Sequence, residues 1–104
     1  MTDDLVLRVA NKAGIQVVSH GPLDDLIPFA SAHRFAETAE ALGLRILGID
    51  GFYQLPGDRV MPEMRAITDL SSVTSASEAA KAAVRFLEDL ADPRLSFEFT
   101  LEVE

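Results

Sequence analysis

Residues 44–54 read LRILGIDGFYQ, the densest apolar, β-favouring run in the chain. Its even positions include Leu44, Ile46 and Phe52, and its odd positions include Leu47, Ile49 and Tyr53. Apolar residues on both faces suit an inner strand better than an exposed edge. Gly48 and Gly51 interrupt the run. Glycine inside a strand marks a bulge or a close approach of another backbone. Asp50 stands between Ile49 and Gly51. A carboxylate in such surroundings needs hydrogen-bond partners or water, because burying it alone is costly.

Working outward, Pro56 and Gly57 follow at the central positions of a type II turn, which predicts a hairpin into a strand beginning near Arg59. Pro62 lacks an N–H and places that strand at an edge or a bulge. Residues 65–70 continue it. On the other side, residues 32–42 form a helix with Ser31 as N-cap and Gly43 as its stop. Ala32, Phe35, Ala36, Ala39 and Leu42 fall on one stripe of that helix. Further upstream, residues 15–19 alternate and predict a first strand, and His20-Gly21-Pro22 is a turn. Pro22 then starts a short helical turn over residues 23–27, which Pro28 ends. Asp3, Asp4 and Gly14 suit the two ends of a short N-terminal helix.

Downstream, Ser75 and Glu78 have the spacing of a capping box, which predicts a helix over residues 76–91. It buries Ala79, Ala83, Phe86, Leu87 and Leu90. Residues 95–103 carry the cleanest alternation in the chain. Leu95, Phe97, Phe99, Leu101 and Val103 point one way and Ser96, Glu98, Thr100 and Glu102 the other. The reading is one α+β domain spanning residues 1–104. It is a two-layer sandwich in which a four-stranded, mainly antiparallel sheet carries two helices on one face. The element order is the ferredoxin-like β-α-β-β-α-β, with an extra helix in front. That order leaves the function open, because such folds host many activities.

The composition narrows the field. The 104 residues carry a formal net charge of -8, and 48% are hydrophobic. An acidic surface without a basic cluster repels phosphate backbones, so nucleic acid is not the expected partner. Its plain reading is solubility; its other reading is a basic partner, since opposite charge speeds encounter. There is no cysteine, so disulfide and thiolate chemistry are excluded. No run approaches a membrane span and no leader pattern opens the chain, which leads us to expect a cytoplasmic protein. His20 and His33 share no ligand spacing with an acid, and no phosphate loop or nucleophile elbow is present. Neither a catalytic set, a metal nor a cofactor is expected.

Four residues are candidates for partner binding: Asp50, Tyr53, Glu63 and Asp69. Tyr53, the only tyrosine, has an apolar body and a polar tip suited to anchoring an interface. Glu63 and Asp69, with Asp58, lie on or beside the predicted hairpin and would join Asp50 in an acidic patch. Each also has a plain structural reading: Asp50 as a hydrogen-bonded bulge residue, Tyr53 as a half-buried strand residue, the rest as a solvated rim.

The succession GLRILGIDGFYQ, a Pro-Gly turn, RVMPEMRAITDLSSV, a capped helix and FEFTLEVE resembles small bacterial immunity proteins of polymorphic and contact-dependent toxin systems. The resemblance covers residues 36–103. It implies a protein without catalytic activity that binds and neutralises a cognate toxin domain. It assigns no inhibitory residue one by one. The alternative is a small-ligand-binding domain of the amino-acid-sensing kind, acting as a homodimer, with Gly48 and Gly51 admitting the ligand.

Overall fold

The computed structural model describes residues 4–103. The elements in chain order are α1 (Leu5–Ala13), β1 (Val18–His20), β2 (Leu23–Pro28), α2 (Phe29–Ala41), β3 (Leu44–Leu55), β4 (Arg59–Asp69), α3 (Ala76–Leu90) and β5 (Leu95–Val103). The fold is α+β, with a five-stranded sheet in the order β1-β2-β5-β3-β4 and every pairing antiparallel. The expected four-stranded ferredoxin-like sheet is therefore corrected in both strand number and order. The two strands that follow α2 and α3 are β3 and β5, and they form its central pair.

The extra strand arises where a helical turn was expected. Residues 23–28 are extended because both faces of the segment are buried: the neighbours Leu26 and Ile27 are each fully inaccessible. Side chains at successive strand positions point to opposite sides, so β2 is covered twice. A two-residue loop, Gly21-Pro22, joins it to β1, with His20 opposite Leu23 and Gly21 at φ 58°. Positive φ at the first loop residue is the hairpin geometry that glycine supplies. Pro22 thus starts no helix.

The interior strand is as expected, but for a partly different reason. Leu44, Ile46, Ile49 and Gly51 are the buried residues of β3. Their parity switches between Ile46 and Ile49, where the register with β5 slips by one residue beside Gly48. The bulge brings even and odd residues into the same core. A second irregularity opposes Gly51 to the longer stretch of β4 between Pro62 and Ile67. Pro62 accordingly sits on an edge strand and beside a bulge.

The helices share one core with the inward side of the sheet. Val9 and Ala10 of α1, Phe35 and Ala36 of α2, and Ala79, Ala83 and Leu87 of α3 are buried together with Phe97 and Phe99 of β5. Alanine stripes let α2 and α3 lie against each other closely. Asp4 caps α1, its carboxylate accepting from the Leu7 N–H at 3.1 Å, and Gly14 closes it at φ 69°. Asp3 lies outside the described residues. Helix α2 starts earlier than expected, at Phe29, because Pro28 is extended and serves as N-cap. Ser31 is therefore inside the first turn and does not cap. Ser75 does cap α3, accepting from the Glu78 N–H at 3.1 Å.

Helix α3 ends on Ala91, held left-handed at φ 46°, ψ 40°. An L-residue pays about 1–2 kcal/mol for that conformation, and glycine does not. Glycine's greater freedom in the unfolded chain offsets part of the gain. Ala91→Gly is expected to stabilise the fold by about 1 kcal/mol. A raised urea midpoint at unchanged slope checks this; an unchanged midpoint contradicts it.

Candidate functional site

Beyond Ile27 and Pro28, β2 has no further pairing with β5. It bends away from β5 at Asp25, where φ is 58°, and leads into the β1–β2 hairpin. The hairpin tip lands on the tip of the β3–β4 hairpin. The His20 ring meets the Leu55 carbonyl at 2.8 Å, and a Cβ on Gly21 would overlap the Asp58 carbonyl. His20 is thus a latch between two turns.

The departure of β2 opens a groove of about 620 Å³ between α1, β2 and β5. Its floor is apolar, from Leu5 and Val6 of α1 and Phe99 and Leu101 of β5. Its rim carries four carboxylates, Asp4, Asp24, Asp25 and Glu98. Burial pushes the Asp25 carboxyl up from its ordinary 3.8, helped by a hydrogen bond with the Asp4 carboxyl and by the charges of Asp4 and Asp24. Two carboxyl groups that share a hydrogen bond must share a proton or repel.

This gives a signed pH dependence. A carboxyl whose pKa is raised on folding binds protons more tightly when folded, so its ionisation weakens the fold as pH rises through the raised value. Asp25→Asn removes that ionisation, and asparagine tolerates the left-handed backbone at this position. The variant is expected to be more stable than the parent at pH 7, with its advantage shrinking as pH falls toward 3.8. Paired urea titrations at several pH values measure this; an advantage that grows on acidification contradicts it.

A second cluster lies at the opposite end of β5. The Tyr53 hydroxyl stands 2.8 Å from Asp92 Oδ2 and 3.2 Å from Glu63 Oε2. It has one proton, which the shorter contact assigns to Asp92. Arg94 grips the same carboxylate through Nε at 3.0 Å and Nη2 at 2.9 Å, and its guanidinium lies 5.1 Å from the centre of the Tyr53 ring. Arg65 holds Glu63 through its backbone N–H at 3.1 Å and its side chain at 3.4 Å. The Arg94 side chain and backbone N–H pull Asp92 far below the ordinary carboxylate range. The Arg65 backbone and side chain lower Glu63. The hydrogen bond to Asp92 raises Tyr53. Each acid has its own arginine, so this corner carries little net charge and offers no ionisable group poised near neutrality.

The four candidate residues fall into two pairs: Tyr53 with Glu63, and Asp50 with Asp69, which lie diagonally across β3 and β4 on one face of the sheet. Tyr53 and Glu63 are joined within this cluster. Asp50 pairs across the strands with Ile67 and Glu98. Alternation puts it on the side of the sheet away from Ile49 and the helices, beside the acidic rim. Asp69, at the end of β4, accepts from the Ser71 N–H at 2.9 Å, and Ser71 lowers its pKa. The space beside Gly48 and Gly51 is taken by their neighbours. A Cβ on Gly51 would overlap Ala66 and come within 3.1 Å of the Phe97 ring, and one on Gly48 would lie 3.3 Å from the Thr68 carbonyl. Both glycines admit the neighbouring strand.

Reading the sequence missed Asp92 and Arg94, and it missed the groove acids Asp4, Asp24, Asp25 and Glu98 as a set. The signal was the Asp24-Asp25 doublet beside Leu26-Ile27. Read as a strand, that segment places the doublet near the last strand. Among the described residues, no group of three or more His, Cys, Asp or Glu is arranged to hold a metal, and no helix is long and apolar enough to cross a membrane. Comparison with protein-family models, curated proteins and solved structures finds no match to the chain.

Proposed function

We propose that the chain is a non-catalytic protein-binding module of the bacterial immunity type, acting in the cytoplasm by masking a basic toxin domain. The observation that carries this reading is the groove between α1, β2 and β5, where an apolar floor is rimmed by Asp4, Asp24, Asp25 and Glu98. Gathering carboxyl groups until one has a raised pKa opposes folding. A cationic partner relieves the repulsion while its apolar stems cover the floor. Asp50, directly across from Glu98, extends the same acidic field. The net charge of -8 steers such a partner into place. Tyr53, Glu63 and Asp69 lie apart from this groove and serve the fold or a more distant rim.

The test is protection and complex formation. Co-expressed with the toxin encoded beside its gene, the chain is expected to rescue growth and to bind the toxin's C-terminal domain. Association should slow as salt rises and in Asp25→Asn and Glu98→Gln variants, because rim charges act mainly on the encounter. Absence of a complex, or binding of a small metabolite in its place, would overturn the reading.

A further inference from the structure

The groove has a property that charge alone does not convey: one wall is an open strand edge. β5 is paired with β3 along most of its length, from Leu95 to Val103. On its other side it meets β2 only at Ser96 and Phe97. Among the described residues, no strand lies along residues 98–103 on that side. The other long edge in the sheet, β4, is guarded. It carries Pro62, and the stretch between Pro62 and Ile67 is irregular. Proline and bulges are the devices by which proteins blunt an edge against pairing. The free edge of β5 has neither, and its sequence, Glu-Phe-Thr-Leu-Glu-Val, favours the extended state.

We propose that residues 98–101 of β5 form a strand-addition slot for an extended, alternating basic and apolar segment of the partner protein. This rests on the protein-binding reading above and says how the partner is held. An added strand bonds to the open backbone edge, and its side chains alternate between the two sides of the sheet. Residues on the inward side meet Phe99, Leu101, Leu5 and Val6, and must be apolar. Residues on the outward side meet Glu98, and with Asp4, Asp24 and Asp25 along the same groove they must be basic. The same acids reject a second copy of this chain, because self-pairing would bring the Glu98 side chains of two copies into one acidic field. Glu102 is already held by Arg45 and adds no site. The slot thus selects a partner by backbone, by alternation and by charge together.

The probe is a seven-residue peptide of alternating lysine and valine. Its controls are a peptide of identical composition with the lysines in one block, and the alternating peptide N-methylated at every second residue. With the full chain, the alternating peptide is expected to shift the amide resonances of residues 98–101 and to slow at least tenfold the hydrogen exchange of those whose N–H faces the open edge. The blocked and N-methylated peptides should bind at least tenfold more weakly and leave exchange unchanged. Glu98→Lys should weaken the alternating peptide tenfold or more; Asp25→Asn, which keeps the backbone, should weaken it severalfold. Equal binding by the three peptides means that charge alone acts, and overturns the slot. So does a perturbation confined to β4. If a toxin domain binds and is neutralised while exchange at residues 98–101 is unchanged, the slot is overturned and the protein-binding reading stands. If the alternating peptide docks as described but no toxin domain binds, the slot stands and the immunity reading fails.

Discussion

Replacing Phe97 with alanine is expected to destabilise the protein by about 3–5 kcal/mol, the range for truncating a buried aromatic ring. Phe97 is fully inaccessible, at the middle of the sheet. Its ring centroid lies 6.2 Å from that of Phe29 and 6.5 Å from that of Phe99, edge-on to the latter. Phe99 in turn lies 4.5 Å from Phe35 of α2. One ring therefore joins the start of α2, the centre of β5 and the second aromatic pair. Its inward direction lies against Gly51 and Ala66, which have no bulk to expand into the space. The surroundings cannot collapse far, which puts the expected cost high in the range. A domain of this size has a total stability of roughly 5–15 kcal/mol, so the loss is a large share. Urea unfolding measures it. A loss below about 0.5 kcal/mol would place the ring outside the core.

The strand that carries this ring was legible because its signal is simple. Residues 95–103 alternate without a break, and the structure gives β5 over that span. The two long helices were legible from their stripes, and the α3 cap from Ser75 and Glu78. The failures have physical causes. At residues 23–28 the cue was Pro22, whose fixed φ suits a helix start; what decided was burial of both Leu26 and Ile27, a tertiary fact that outranks a turn preference. At Ser31 a good capping residue was preceded by Pro28, already extended in the required position. For the site, the four candidates were grouped by proximity in sequence around one hairpin. The strand order instead sets Asp50 beside Glu98, nearly fifty positions along, and joins Tyr53 to Asp92 beyond the end of α3. Pairings of that kind depend on the order of strands in the sheet, which the order of elements along the chain leaves undetermined.

Alanine at Gly51 is expected to cost about 1–3 kcal/mol, the range for forcing an extra methyl group into a filled core. The backbone there needs no positive φ, so the penalty is one of space and not of conformation. Three neighbours occupy the place of the missing side chain: the Ala66 methyl group, which a new Cβ would overlap, the Phe97 ring at 3.1 Å and the Ala66 carbonyl at 3.3 Å. Two of the three belong to Ala66, a fully buried residue. Its inward position depends on the irregular stretch of β4 opposite Gly51, since regular pairing would not fit so many residues against one. The new methyl group must therefore push Ala66 outward or tilt Phe97, and either movement opens the core around the Phe97 ring. Gly48 provides the control within the same strand. A Cβ there meets only the Thr68 carbonyl, at 3.3 Å, so Gly48→Ala should cost clearly less than Gly51→Ala. The two substitutions at residues 51 and 97 should also be non-additive, because they share a contact. In the Phe97→Ala background the space left by the ring accepts the methyl group, and Gly51→Ala should lose part of its penalty. A double-mutant cycle in urea reads this coupling directly. Equal costs at Gly48 and Gly51, or full additivity of the Gly51 and Phe97 changes, would show that the close approach of β3 and β4 does not determine the glycine.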